Sequence, residues 1–127
     1  MHIRLSPALI CRVIFILLLV LVMVLSLAPV SQPDFSPNDK VNHFIAYGTL
    51  SFVGLFAFSR WGWVILGLFC YGVLVEFLQG MTAYRFASGA DVIANSLGLL
   101  LGAGVFACLY VTVLKNNRLY RKYIYGQ

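Results

Sequence analysis

Four apolar stretches follow one another along this chain with only short polar breaks between them, and each is about as long as a bilayer's hydrocarbon core is thick. A crossing helix takes about 20 apolar residues, so four crossings and their loops use nearly all of the 127 residues. The expected fold is an all-α membrane domain spanning 1–127, with four transmembrane helices at about 9–29, 41–59, 61–79 and 91–114 packed in a compact bundle. No length remains for a soluble catalytic domain. Composition agrees, since 61% of the residues are hydrophobic and 10% charged, well away from soluble averages.

The breaks between stretches carry the usual stop signals. Pro33 and Pro37 interrupt helix before the second stretch, Arg60 and Gly62 mark a tight connection, and 80–89 forms a loop with Arg85 at its centre. A cleaved signal peptide is the rival reading of the first stretch, with Ser26, Leu27 and Ala28 as a small-residue cleavage site. The apolar run from Val13 to Ala28 exceeds the about 7 to 15 residues of a signal core, and Pro29 would follow the cut. A retained helix is expected. Cys11, Cys70 and Cys108 sit singly inside apolar stretches and read as small hydrophobes, without disulfide or zinc spacing.

Basic residues set the expected orientation. Arg4, Arg12, Arg60, Lys115, Arg118, Arg121 and Lys122 fall on one side of the four-helix topology, and only Lys40 and Arg85 on the other. The positive-inside rule then places both termini in the cytoplasm. Asp34, Asp39, Glu76 and Asp91 belong to the outer half. The basic residues flank membrane spans, so no nucleic-acid partner is expected, and Tyr110, Tyr120, Tyr123 and Tyr125 suit an inner interface belt.

The outer half holds what chemistry the chain has. His43 and Tyr47 share one helical face with Gly54; Gly72, Glu76 and Gln79 share another; Asp91, Asn95, Gly98 and Gly102 form a third. At a rise of about 1.5 Å per residue, Glu76 lies roughly 6 Å below the outer end of its helix, and His43 and Asn95 lie at similar depth. Asp39, Lys40, Arg85 and Asp91 form the rim. Ionisable groups at membrane depth are costly and commonly functional, which makes His43, Glu76 and Asp91 the candidate catalytic residues. Asp39, Lys40, Tyr47, Gln79, Arg85 and Asn95 are the candidate substrate-binding residues.

Plainer roles compete with these. Asp39 and Asp91 suit N-caps, Asn95 and Gln79 suit interhelical hydrogen bonding, Lys40 an interface anchor, and Tyr47 ordinary packing. Arg85 could neutralise Glu76 or Asp91. A His, a Glu and an Asp could hold a metal, but no close ligand spacing supports it, so neither metal nor cofactor is expected. The Gly98 and Gly102 pair serves close packing within one chain or between two, which leaves an oligomer open.

The run Asp39-Lys40-Val41-Asn42-His43-Phe44, then Tyr47, Gly72, Glu76, Gln79 and Arg85, then Asp91-Val92-Ile93-Ala94-Asn95 with Gly98 and Gly102, resembles the VanZ-like family of small bacterial membrane proteins. The resemblance covers about half the chain and implies a multi-pass protein of the bacterial inner membrane, with the polar site facing the extracytoplasmic side; the family takes its name from a member linked to teicoplanin resistance. Two functions stay open. One is an intramembrane enzyme acting on a lipid-linked or cell-envelope precursor, with His43 as general acid or base, Glu76 as its partner and Lys40 or Arg85 holding an anionic headgroup. The other is a non-catalytic binding or structural protein whose polar layer joins helices. No nucleophile motif is present.

Overall fold

The computed structural model describes residues 6–29 and 37–125. Arg4, Asp34 and Pro33, used above for orientation and chain breaks, lie outside the described residues. Four long helices run up and down: α1 (Pro7–Leu27), α2 (Pro37–Ala57), α3 (Trp61–Gly80) and α4 (Gly89–Leu109). A π-helical turn at Tyr110–Leu114 extends α4, and a short helix α5 (Arg118–Tyr125) follows. Among the described residues there is no strand.

Three helices are long and apolar enough to cross a membrane: α1 with mean hydropathy 3.2, α3 with 1.8, and α4 with its π turn at 2.3. The expected fourth, α2, does not reach that standard, although its 21 residues match α1 in length. The reason is local. Asn38, Asp39, Lys40, Asn42 and His43 crowd its first two turns, and its apolar character begins only at Phe44.

The bundle is apolar outside and polar at one end of its interior. On α1 only Phe15 is buried, while Leu17, Val24, Phe77 and Leu100 stand exposed around the outside. Such a surface suits lipid, where an exposed leucine costs nothing. The inward face of α4 is Asp91, Ala94, Asn95, Gly98, Leu99, Gly102 and Phe106. That stripe packs along α2, the most extensive helix pairing in the chain.

Close approach there depends on missing side chains. A Cβ at Gly98 would fall on the Phe44 carbonyl oxygen, and one at Gly102 on that of Gly48. With the backbones this near, Ser51 on α2 donates its hydroxyl to the Leu99 carbonyl at 3.0 Å. Gly98 and Gly102 are thus covered within the chain by α2. Elsewhere, Gly54 leaves room for the Phe15 ring of α1, and Gly72 for the ring of Tyr47.

An aromatic cluster closes the opposite end. Trp61 stands edge-on to Phe106 and Tyr110, while Tyr120 from α5 packs on Phe56 and Tyr110. Tyr120 is 5% exposed. The interface-belt expectation is therefore corrected for this residue, because α5 folds back and buries its ring against α2 and the π turn. Arg12 supports the same end, donating to the Ala57 carbonyl at 3.4 Å with its guanidinium over the Phe58 ring.

Candidate functional site

At the other end, α1 and α3 finish where α2 and α4 begin, so two helix C-termini and two N-termini meet. Asp39 is the third residue of α2 and Asp91 the third of α4. Both carboxylates lie in first turns, where the helix dipole favours negative charge. Neither is an N-cap. Each helix starts earlier than the residue pattern suggested, so the carboxylates fall inside the first turn and reach across to other elements. Ser88 occupies the cap position of α4, and its own side chain makes no capping bond.

Arg85, carried by the loop after α3, lies at the centre of the cross-links. One guanidinium nitrogen donates to Asp39 Oδ1 at 3.0 Å and the other to the Ser26 carbonyl at 3.0 Å. Gln79 donates to the same carbonyl at 2.7 Å, and the Tyr84 hydroxyl donates to the Leu27 carbonyl at 2.7 Å. Helix C-termini leave carbonyls without intrahelical partners, and side chains from α3 and its loop satisfy those of α1. Arg85 was expected at the rim, facing Glu76 or Asp91. Its side chain is instead 8% exposed and paired with Asp39, because its loop folds down over the end of α1.

Lys40 bonds Asp91 Oδ1 at 3.3 Å, joining α2 to α4. It is therefore an ion-pair partner as well as a half-exposed group. One turn deeper, His43 Nδ1 lies 3.1 Å from Asn95 Oδ1. An amide oxygen only accepts, so this bond puts the ring proton on Nδ1. The other ring nitrogen, Nε2, faces Asp39 Oδ2 at 4.0 Å.

Glu76 sits beside this group, 5% exposed. Its Oε1 accepts the Ser88 backbone N–H at the start of α4. Its Oε2 has no hydrogen-bond partner, nor do the Tyr47 hydroxyl, Arg85 Nε and Asn95 Nδ2, all buried. Buried polar atoms without partners are rare in folded proteins. Four around one layer mark a place where a further polar molecule would be favoured.

A groove of about 560 Å³ opens from this layer between α1 and α2. Asp39, His43, Arg85 and Ser26 line its polar end, and Leu18, Leu21, Val22, Ala46 and Leu50 line its apolar walls. Along α2 it extends from Asp39 to Leu50, a length of roughly 16 Å at the helical rise.

The structure thus brings together, at one end of the bundle, all nine residues singled out from the sequence. It also recruits two groups that residue types could not announce, the Ser26 carbonyl and the Ser88 backbone N–H. Both are main-chain atoms, and the only signal for them was that helix ends leave such groups open. Two nearby hydroxyls have backbone partners: Ser51 bonds the Leu99 carbonyl, and Thr82 that of Gln79 at 2.7 Å.

Residues 34–112 match the family model described as VanZ/LLP1. The match takes in α2, α3, α4 and the whole polar layer except Ser26. It covers more than half of the chain, which belongs to the VanZ-like family. Comparison with curated proteins gives no match, and neither does comparison with solved structures.

Proposed function

We propose that this VanZ-like membrane protein binds a lipid-linked molecule of the cell envelope, with the headgroup in the polar layer and the tail in the groove between α1 and α2. The observation that carries this reading is the continuity of the two: a groove about 16 Å long begins at Asp39, His43 and Arg85 of the polar layer and continues between apolar walls to Leu50. An amphiphile of matching polarity fits such a site.

Binding is favoured over catalysis. The Ser51 and Thr82 hydroxyls are held by backbone carbonyls, and Lys40 and Arg85 are held by Asp91 and Asp39. Such a constellation positions a ligand without supplying a nucleophile. His43, Glu76 and Asp91 then serve as orienting polar groups. A purely structural layer is the second reading, supported by the Gln79 and Arg85 bonds to α1.

In this reading α2 is a fourth crossing, since it runs the length of α4 beside it, and the basic residues place both termini in the cytoplasm and the polar layer outside. A reporter fused after Gln127 is expected to be active on the cytoplasmic side; activity on the far side would reverse the orientation.

The binding test uses protein purified in mild detergent, with co-purifying lipids identified by mass spectrometry. Wild type is expected to retain one envelope lipid class enriched over the membrane extract. Ala46→Phe, which fills the groove, should lower its recovery about tenfold with thermal stability unchanged, as expected when a filled pocket forfeits a ligand's buried contacts. Equal recovery from both proteins, or no enrichment in wild type, would leave the structural reading standing. Teicoplanin susceptibility of a strain lacking the chain is the cellular readout, and a shift restored by wild type but not by Ala46→Phe is expected.

A further inference from the structure

We propose that Asp39, His43 and Asp91 bind one divalent first-row metal ion. Sequence spacing alone spoke against a metal, because only Asp39 and His43 are one turn apart and Asp91 is 48 positions further along than His43. The glycine seam between α2 and α4 removes that objection. It brings one ligand atom from each of the three residues within 4.8 Å of the others.

His43 carries the argument beyond a cluster of acids. Its ring is 5% exposed, and its Nδ1 is engaged by Asn95 Oδ1 at 3.1 Å. In the neutral ring this leaves a lone pair on Nε2, which faces the free oxygen of Asp39 at 4.0 Å. A proton on Nε2 makes this an ion pair; without it, the lone pair and the carboxylate oxygen form a seat for a cation. A histidine oriented through one nitrogen by an oxygen acceptor, with the other nitrogen aimed at carboxylates, is the arrangement that metal ligands adopt. Metal bonds of about 2.0–2.2 Å place two ligands on one ion about 3–4 Å apart, so small side-chain rotations close the set.

The remaining partners are compatible. Arg85 takes Asp39 Oδ1 and leaves Oδ2. Lys40 bonds Asp91 Oδ1, and with its side chain 36% exposed it has room to swing away. One nitrogen and two carboxylate ligands suit Mn²⁺ or Zn²⁺ better than Ca²⁺. Three protein ligands also leave coordination positions open for water or a further ligand.

The test uses the full chain without an affinity tag, stripped with chelator in detergent and titrated with Mn²⁺. Binding is read by the loss of the free-ion paramagnetic resonance signal, and Zn²⁺ content is read by elemental analysis after dialysis. Wild type should hold one ion per chain. His43→Gln and Asp91→Asn should each weaken binding at least tenfold, and Asn95→Ala about tenfold, through loss of ring orientation. Lys40→Ala should tighten binding, because it frees Asp91; this variant decides the matter if the ligand variants fail to fold. No stoichiometric ion in wild type, unchanged affinity in a folded His43→Gln, or weaker binding in Lys40→Ala would each overturn the proposal. Because the probe is the metal alone, the result is independent of whether an amphiphile binds.

Discussion

Gly98→Val and Gly102→Val should each abolish accumulation of folded protein in the membrane. A Cβ at Gly98 would coincide with the Phe44 carbonyl oxygen, and one at Gly102 with that of Gly48, with the Ser51 Cβ at 2.9 Å as a further obstacle. Overpacking costs about 1–3 kcal/mol where side chains can move aside. Here the obstacles are main-chain atoms of α2, which move only if the helix moves. Displacing α2 from α4 would break the Lys40–Asp91, His43–Asn95 and Ser51–Leu99 contacts together. The expected loss exceeds the upper end of that range. The controls are Gly67→Ala and Gly104→Ala, where an added Cβ meets nothing within 4 Å. These should be neutral, or stabilising by up to about 1 kcal/mol, because alanine is the better helix former. Yield after membrane extraction and thermal unfolding in detergent distinguish the outcomes. If the seam and control variants behave alike, the close approach of α2 and α4 is wrong.

The same seam marks how far the residues could be read without coordinates. Helical periodicity placed His43, Tyr47, Glu76, Gln79, Asp91, Asn95, Gly98 and Gly102 on inward faces, because lipid rejects polar groups and leaves glycine faces unused. All eight face the bundle interior, and Tyr47 is fully buried. Periodicity could not say which helices pair, so it left Gly98 and Gly102 free for a second copy, and it missed that α2 and α4 bring Asp91 to His43. Arg85 was misplaced for a related reason. A loop residue has no periodic face, and its partners, a carbonyl on α1 and a carboxylate on α2, depend on how the loop folds. The α2 helix carries the weakest span signal of the four long helices. Its length suits a membrane crossing, and the polar residues of its first turns make it less apolar than its neighbours. Here the helix that carries Asp39, Lys40 and His43 is the one whose span signal is weakest.

Arg85→Ala should lower stability by about 2–4 kcal/mol, the second largest effect expected in this chain. Removing one partner of a buried ion pair costs about 3–5 kcal/mol, because the other charge is left uncompensated. Asp39 retains 17% side-chain exposure, which lets water recover part of that loss and lowers the expected value. Arg85 also donates to the Ser26 carbonyl, but Gln79 remains on the same oxygen, so that contribution is small. The pair itself should therefore dominate, and a double-mutant cycle isolates it. With Asp39→Asn as the second change, the double variant should be more stable than the sum of the two single losses predicts, by about 1–3 kcal/mol of coupling. Arg85→Lys should fall between wild type and Arg85→Ala. It keeps the charge, but a single ammonium replaces a planar fork whose two nitrogens reach different helices. Denaturant unfolding in micelles supplies all four corners of the cycle. Additive losses would mean that Asp39 and Arg85 are not partners, and the loop after α3 would then be tied to α1 but not to α2 by Arg85.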